Sequence, residues 1–174
     1  MRGGMLTLAP ETPRQEEVVD LIRRADANSA RLYPPESNHP LDVDGLCATN
    51  VRFLLARLDG RAVGCGAIVL GRRGEAEIKR MFVHEDARGR GVGRALLAAV
   101  EDAARREGVR LLLLETGTLN GEALGLYGCA GYRQRGPFGS YGPDPLSVFM
   151  SKALFTDEAL LTVESPAALA DFEV

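Results

Sequence analysis

The sequence predicts an α/β domain built on a mixed, mostly antiparallel sheet with helices on its faces, and three observations predict it. Strand-like runs at 51–58, 61–70 and 75–84 follow one another through Asp59-Gly60 and a turn at 71–74, which is an antiparallel meander. After a basic, glycine-rich loop, a periodic helix is followed by strand, helix, strand and strand. Four consecutive leucines, Leu111 to Leu114, mark a strand buried on both faces.

Taken in order, residues 5–9 alternate as a short strand. Residues 11–32 place Val18, Val19, Leu21, Ile22 and Ala25 at helical spacing, with Thr12 as the expected N-cap, Pro13 in the first turn and Gln15 three residues on. Three prolines make 33–44 a loop that leads into a short helix near 44–48. Residues 91–108 form a helix whose inward stripe is Val92, Leu96, Ala99, Val100 and Ala103. Glu101 with Arg105 and Asp102 with Arg106 are expected to pair on its wet side. A strand over 110–115, a helix over 120–130, and strands over 131–135 and 146–154 complete the series. One domain is expected over 1–154, and 155–174 reads as a tail, a short helix or poorly ordered.

The 174 residues carry a formal charge of −3, which argues against nucleic acid as the main partner. No apolar run approaches the length that spans a bilayer, and the first ten residues lack the form of a secretory signal. The expected address is therefore cytoplasmic, without membrane or nucleic-acid partners. Cys47, Cys65 and Cys129 are scattered and histidines number two, so no metal site is expected and the cysteines read as small buried hydrophobes.

The most informative stretch is Arg88-Gly89-Arg90-Gly91-Val92-Gly93-Arg94. A helix N-terminus presents unpaired N–H groups and partial positive charge. The glycines let a diphosphate approach the backbone, and the arginines add charge suited to phosphate oxygens. A dinucleotide-binding loop would follow the first strand of a parallel unit, whereas this one follows a meander. A Walker-type loop is excluded because no Gly-Lys-Ser/Thr ends the run.

In this context the chain resembles the GNAT acetyltransferase superfamily from about residue 51 to 154, and more weakly from residue 5. The family's Arg/Gln-x-x-Gly-x-Gly/Ala motif stands here as Arg88 to Gly93. Glu77 to Val83 is similar to the family's fourth strand. Asn120 to Tyr127, followed by Gly131-Tyr132, matches Asn-x-x-Ala-x-x-Leu-Tyr and Gly-Phe, with Tyr132 in place of Phe.

The resemblance implies six or seven strands and four helices, with a splay between the fourth and fifth strands. It implies acetyl-CoA as the acyl donor. The diphosphate would be held by Arg88, Gly89, Arg90, Gly91, Val92, Gly93 and Arg94. The pantetheine arm would pair with the backbone of Met81, Phe82 and Val83 as an added strand, and with Asn120. Acetyl transfer needs an amine stripped of its proton, so a positioned base is required. Glu77, six residues before Val83, occupies the spacing of a catalytic glutamate in some members; its alternative role is an ion pair with Lys79 or Arg80. Tyr127 holds the family's general-acid position, its alternative a core aromatic. An N–H of Phe82 or Val83 would meet the developing oxyanion. Direct attack in a ternary complex is expected, with Cys129 inward and inert.

The resemblance also implies that the acceptor lies between the loops 33–39 and 136–142, where Tyr33, Phe138 and Tyr141 would form apolar walls. Lys79 and Arg80 would take a substrate carboxylate, and His39 is a second candidate proton acceptor. His84 is expected to face solvent. The expected acceptor is a small amine or amino acid, and the enzyme a monomer or homodimer. The alternatives are acylation of a protein N-terminus or lysine, and a silent CoA-binding module.

Overall fold

A computed structural model of the chain describes residues 4–37 and 40–155. These form β1 (Leu6–Pro10), α1 (Glu16–Leu32), α2 (Val43–Leu46), β2 (Val51–Leu58), β3 (Arg61–Leu70), β4 (Glu75–Val83), α3 (Val92–Arg106), β5 (Leu111–Gly117), α4 (Gly121–Cys129), β6 (Arg133–Arg135) and β7 (Ser147–Ala153). The strands make one sheet in the order β1-β2-β3-β4-β5-β7-β6. Only β4 and β5 run parallel. The predicted mixed sheet with four helices is the fold observed; the predicted tail falls almost wholly outside the described residues.

Local chemistry explains the meander. Asp59 and Gly60 both adopt left-handed dihedrals, φ 51° and 84°, the pair a two-residue hairpin turn requires. Each face of the sheet carries its own core. Leu96 and Val100 of α3, both fully buried, pack with Ile78, Leu112 and Leu114 on one face. On the other, Val18 and Leu21 of α1 and Leu46 of α2 pack with Leu55, Cys65 and Ala67.

The feature that positions the site is a break in the sheet. The β4–β5 ladder runs from Glu75↔Leu111 to Ile78↔Leu114 and stops, although β4 continues to Val83 and β5 to Gly117. A bulge sits at the break. Cys65 pairs with Phe82 and Ala67 with Lys79, so Gly66 alone faces both Arg80 and Met81. Arg80 is left-handed there, φ 58°, and a Cβ at Gly66 would lie 2.6 Å from the Met81 sulfur. The buried Cys65 thiol, pushed up to about 12 by burial, lies 3.4 Å from the Arg80 carbonyl oxygen. The extra residue turns β4 away from β5, and the expected splay follows.

Several local expectations are corrected. Thr12 does not cap α1; the helix starts at Glu16 behind Gln15. Gln15 instead joins Glu11 and Glu17 around Arg57, at 2.7–3.0 Å, which fastens the start of α1 to the β2–β3 hairpin. Those hydrogen bonds hold the Glu11 and Glu17 carboxyls below their ordinary range. Glu101 is not on the wet side of α3. It is buried, with both carboxylate oxygens 2.8 Å from Lys152 Nζ of β7 and Arg105 at 3.4 Å. Asp102 pairs with Arg105 rather than Arg106. His84 is buried, its Nδ1 accepting from the Asp86 N–H. Cys47 and Cys129 are exposed; among the cysteines only Cys65 is a core residue.

Candidate active site

The site is built from the residues around the gap, and its first half is backbone. β4 gives way to a short 3-10 turn at Glu85–Ala87, and α3 begins at Val92 behind Gly91. Gly89 and Gly91 hold φ 69° and 79°, and a Cβ at either would meet no atom within 4 Å. The open space beside them is part of a cleft of about 640 Å³. The first turn of α3 holds no acidic residue, so its unpaired N–H groups and dipole are not offset by a carboxylate of that turn.

Met81, Phe82, Val83, Arg88, Gly89, Gly91, Val92, Gly93, Arg94, Asn120 and Tyr127 all line this cleft. Arg90 is exposed and outside the lining. Arg88 donates from Nε to the Val83 carbonyl at 3.1 Å and faces Glu122 at 3.6 Å across the cleft. Arg94 pairs with no carboxylate among the described residues, which leaves it for an anion. His84 donates its N–H to Val63 O in β3, so strand alternation turns the N–H and C=O of Val83 toward the gap and the N–H of Phe82 toward β3. Of the two expected oxyanion donors, Val83 therefore faces the right way.

Asn120 caps α4, its Oδ1 accepting from Ala123 N at 3.3 Å. That cap aims the helix so that Tyr127, two turns on, is buried against the sheet. Burial alone pushes the Tyr127 phenol well above its ordinary range. Its ring packs edge-on to Tyr132, centroids 5.5 Å apart, and its hydroxyl has no hydrogen-bond partner among the described residues.

The second half of the site lies on the opposite face of the sheet. Glu77 and Lys79 pair with Val69 and Ala67, so their side chains share the face of α1 and α2 while Ile78 points to α3. The loop between β6 and β7 lays Tyr141 over them. Its hydroxyl donates to Glu77 Oε1 at 2.6 Å, Lys79 Nζ meets the same oxygen at 2.8 Å, and Lys79 also bonds the Tyr141 hydroxyl. The ion pair weighed for Glu77 is thus present with Lys79, and both contacts converge on Oε1. Phe138, Tyr141 and Phe149 form a mutual aromatic cluster, centroids 5.1–5.8 Å apart. Tyr33 closes the end of β5: its hydroxyl accepts from Leu119 N at 2.8 Å, and a Cβ at Gly117 would lie 2.0 Å from its ring.

Arg80 does not reach this group. Its Nε donates to Leu41 O at 2.6 Å and its guanidinium is paired with Asp26. His39 lies outside the described residues. Sequence reasoning missed Asn28, Leu32, Leu119, Glu122 and Leu126 in the cleft lining, and Glu115 and Ser147 on the other face. Glu115 was legible in principle, since it has the parity of Leu111 and Leu113 and lies just past the paired run.

A parted pair of parallel strands, an open glycine-rich helix start on one side and a carboxylate on the other define an acyltransferase of the cofactor-clamping kind. Residues 17–132 match the Acetyltransferase (GNAT) family, and the chain belongs to it. The protein is accordingly an acyl-CoA N-acyltransferase that uses acetyl-CoA. It is 51% identical over 150 residues to the IAA acetyltransferase of Azospirillum brasilense, covering 86% of this chain and 98% of that one. A solved structure from Klebsiella pneumoniae, named as a candidate acyl-CoA N-acyltransferase, is 40% identical, with a TM-score of 0.74 over 87% of this chain and 99% of its own. The PaiA N-acetyltransferase of Thermoplasma acidophilum, solved with coenzyme A, shares the fold at 15% identity, with a TM-score of 0.67 over 86% of this chain and 99% of its own. Among the described residues no helix is long and apolar enough to cross a membrane.

Proposed function

We propose that the enzyme acetylates the primary amine of a small molecule by direct attack within a ternary complex. The observation that carries this is the gap beyond Ile78 and Leu114, with an open cleft on one face and Glu77 on the other. The cleft residues fit the donor. Gly89, Gly91 and Gly93 with Arg88 and Arg94 would hold the diphosphate, with Arg90 adding charge nearby. Met81, Phe82 and Val83 would supply a strand edge for the pantetheine arm, and Asn120 a polar contact. Bound acetyl-CoA supplies an already activated acyl group, so no covalent acyl-enzyme is needed.

The protein's own groups then handle protons. Glu77 takes the ammonium proton on Oε2, directly or through a water, because Oε1 is held by Tyr141 and Lys79. The Val83 N–H donates to the charge that develops on the carbonyl oxygen. Tyr127 donates its hydroxyl proton to the departing thiolate as the C–S bond breaks, and the second proton shed by the amine nitrogen replaces it, so the amide is neutral, Tyr127 is restored and CoA leaves as its thiol. Tyr33, Phe138 and Tyr141 enclose the acceptor.

The test is acetyl transfer from acetyl-CoA, followed by product mass, to a panel of small primary amines and to peptides bearing a free N-terminus or lysine. Turnover of small amines supports the reading. Turnover confined to peptides contradicts it and favours protein acetylation. Tight CoA binding with no acceptor turned over contradicts it in favour of a silent binding module.

A further inference from the structure

We infer that the acceptor is a monocationic amine on an aromatic body, an arylalkylamine rather than an α-amino acid; this rests on the reading of the gap as the place of transfer.

The first ground is charge. An amino-acid acceptor brings a carboxylate, which needs a cation that the protein has not already neutralised. The two cations that β4 carries, Lys79 and Arg80, are both spoken for. Arg80 is held by Asp26 and the Leu41 carbonyl, and Lys79 by Glu77 and Tyr141. The carboxylates outnumber Lys79 on the rim of the gap. Glu115 stands on β5 just past the last paired residue, its Oε1 accepting from Ser147 Oγ at 2.7 Å. Burial first, then the bond to Glu77, then the charges of Glu77 and Glu115 push the Tyr141 phenol upward, so that hydroxyl feels both carboxylates. Glu77, Glu115 and Lys79 together leave one negative charge, which a single ammonium balances and a zwitterion does not. Arg135 lies over the Phe138 ring at 5.8 Å but bonds the Gly136 carbonyl, and it is exposed.

The second ground is shape. Phe138 and Tyr141 are half-buried and Phe149 is buried; Phe138 meets the other two rings on edge, Tyr141 and Phe149 are tilted, and the Tyr141 hydroxyl bonds Glu77. Edge-to-face clusters extend readily to one more ring. Lys79 Nζ bonds both Glu77 Oε1 and the Tyr141 hydroxyl, so this corner already accommodates one ammonium between a phenol and a carboxylate.

The experiment compares kcat/KM for 2-phenylethylamine, L-phenylalanine and butylamine with saturating acetyl-CoA. The expected ratio is about 100-fold for 2-phenylethylamine over L-phenylalanine, and about tenfold over butylamine. Phe138→Ala should lower kcat/KM for 2-phenylethylamine about tenfold more than it lowers that for butylamine, a split that a merely structural role for Phe138 would not produce. Glu115→Gln should narrow the gap between 2-phenylethylamine and L-phenylalanine about tenfold. L-phenylalanine turned over as well as or better than 2-phenylethylamine overturns the inference while leaving small-amine acetylation standing. Loss of both amines in equal measure in Phe138→Ala also overturns it. Failure of all three amines, with CoA still bound, overturns the inference together with the reading of the gap.

Discussion

The two sides of the gap are made of different material. The side proposed for the donor is main chain: glycine torsions, a helix start with no acid in its first turn, and the free edge of β4. The side proposed for the acceptor is side chain, carried in by elements far apart in sequence: Glu77 and Lys79 from β4, Tyr33 from beyond α1, Tyr141 from the β6–β7 loop and Glu115 from β5. A backbone clamp is fixed by a few residue types at fixed spacing and serves one ligand. A side-chain wall is open to change at every position, so one fold can keep its donor and vary its acceptor.

That contrast can be broken first on the donor side. Gly91→Glu forces a side chain onto a left-handed residue and puts a negative charge where the diphosphate belongs. CoA affinity should fall about 1000-fold by calorimetric titration, with the circular dichroism spectrum unchanged. The scaffold under this side should also matter more than its surface. Lys152→Met leaves buried Glu101 without its principal cation and should cost about 3 kcal/mol of stability in urea.

The acceptor side should fail differently. Glu77→Gln should cut kcat/KM about 100-fold, with CoA affinity intact. A kcat/KM like the wild type's would leave Glu77 as an ion-pair partner only. Tyr127→Phe should lower kcat about tenfold with little change in the Kd for acetyl-CoA. Equal rates would remove its hydroxyl from the chemistry. The smallest effect lies away from both sides. Glu11, Glu17 and Asp20 are depressed by arginine hydrogen bonds, Asp20 to about 2, so their stabilisation is present above the unfolded values and lost as pH falls through the folded ones. Tm should therefore decline below about pH 4.5, and Arg57→Leu should flatten that decline.

The same contrast explains what could be read from the sequence. The Asp59-Gly60 turn, the leucine strand and the Arg88 to Arg94 loop announce themselves because local torsion and periodicity determine them. The residues expected to hold the donor share one cleft for that reason, Arg90 alone falling outside its lining. Glu101 was misread because its partner, Lys152, is a strand away in space and fifty-one residues away in sequence. Thr12 lost its capping role to a network centred on Arg57, forty-five residues on. Arg80 looked like a substrate cation on a strand. The bulge gives it a left-handed backbone, and its guanidinium meets Asp26 and Leu41.

The most direct test is a crystal structure of the enzyme with coenzyme A. The diphosphate should lie against the main-chain amides of residues 89–94, with the pantetheine arm along Met81 to Val83 and the sulfur in the gap beside Tyr127. A diphosphate bound elsewhere, or a sulfur remote from the parted ends of β4 and β5, would contradict the account.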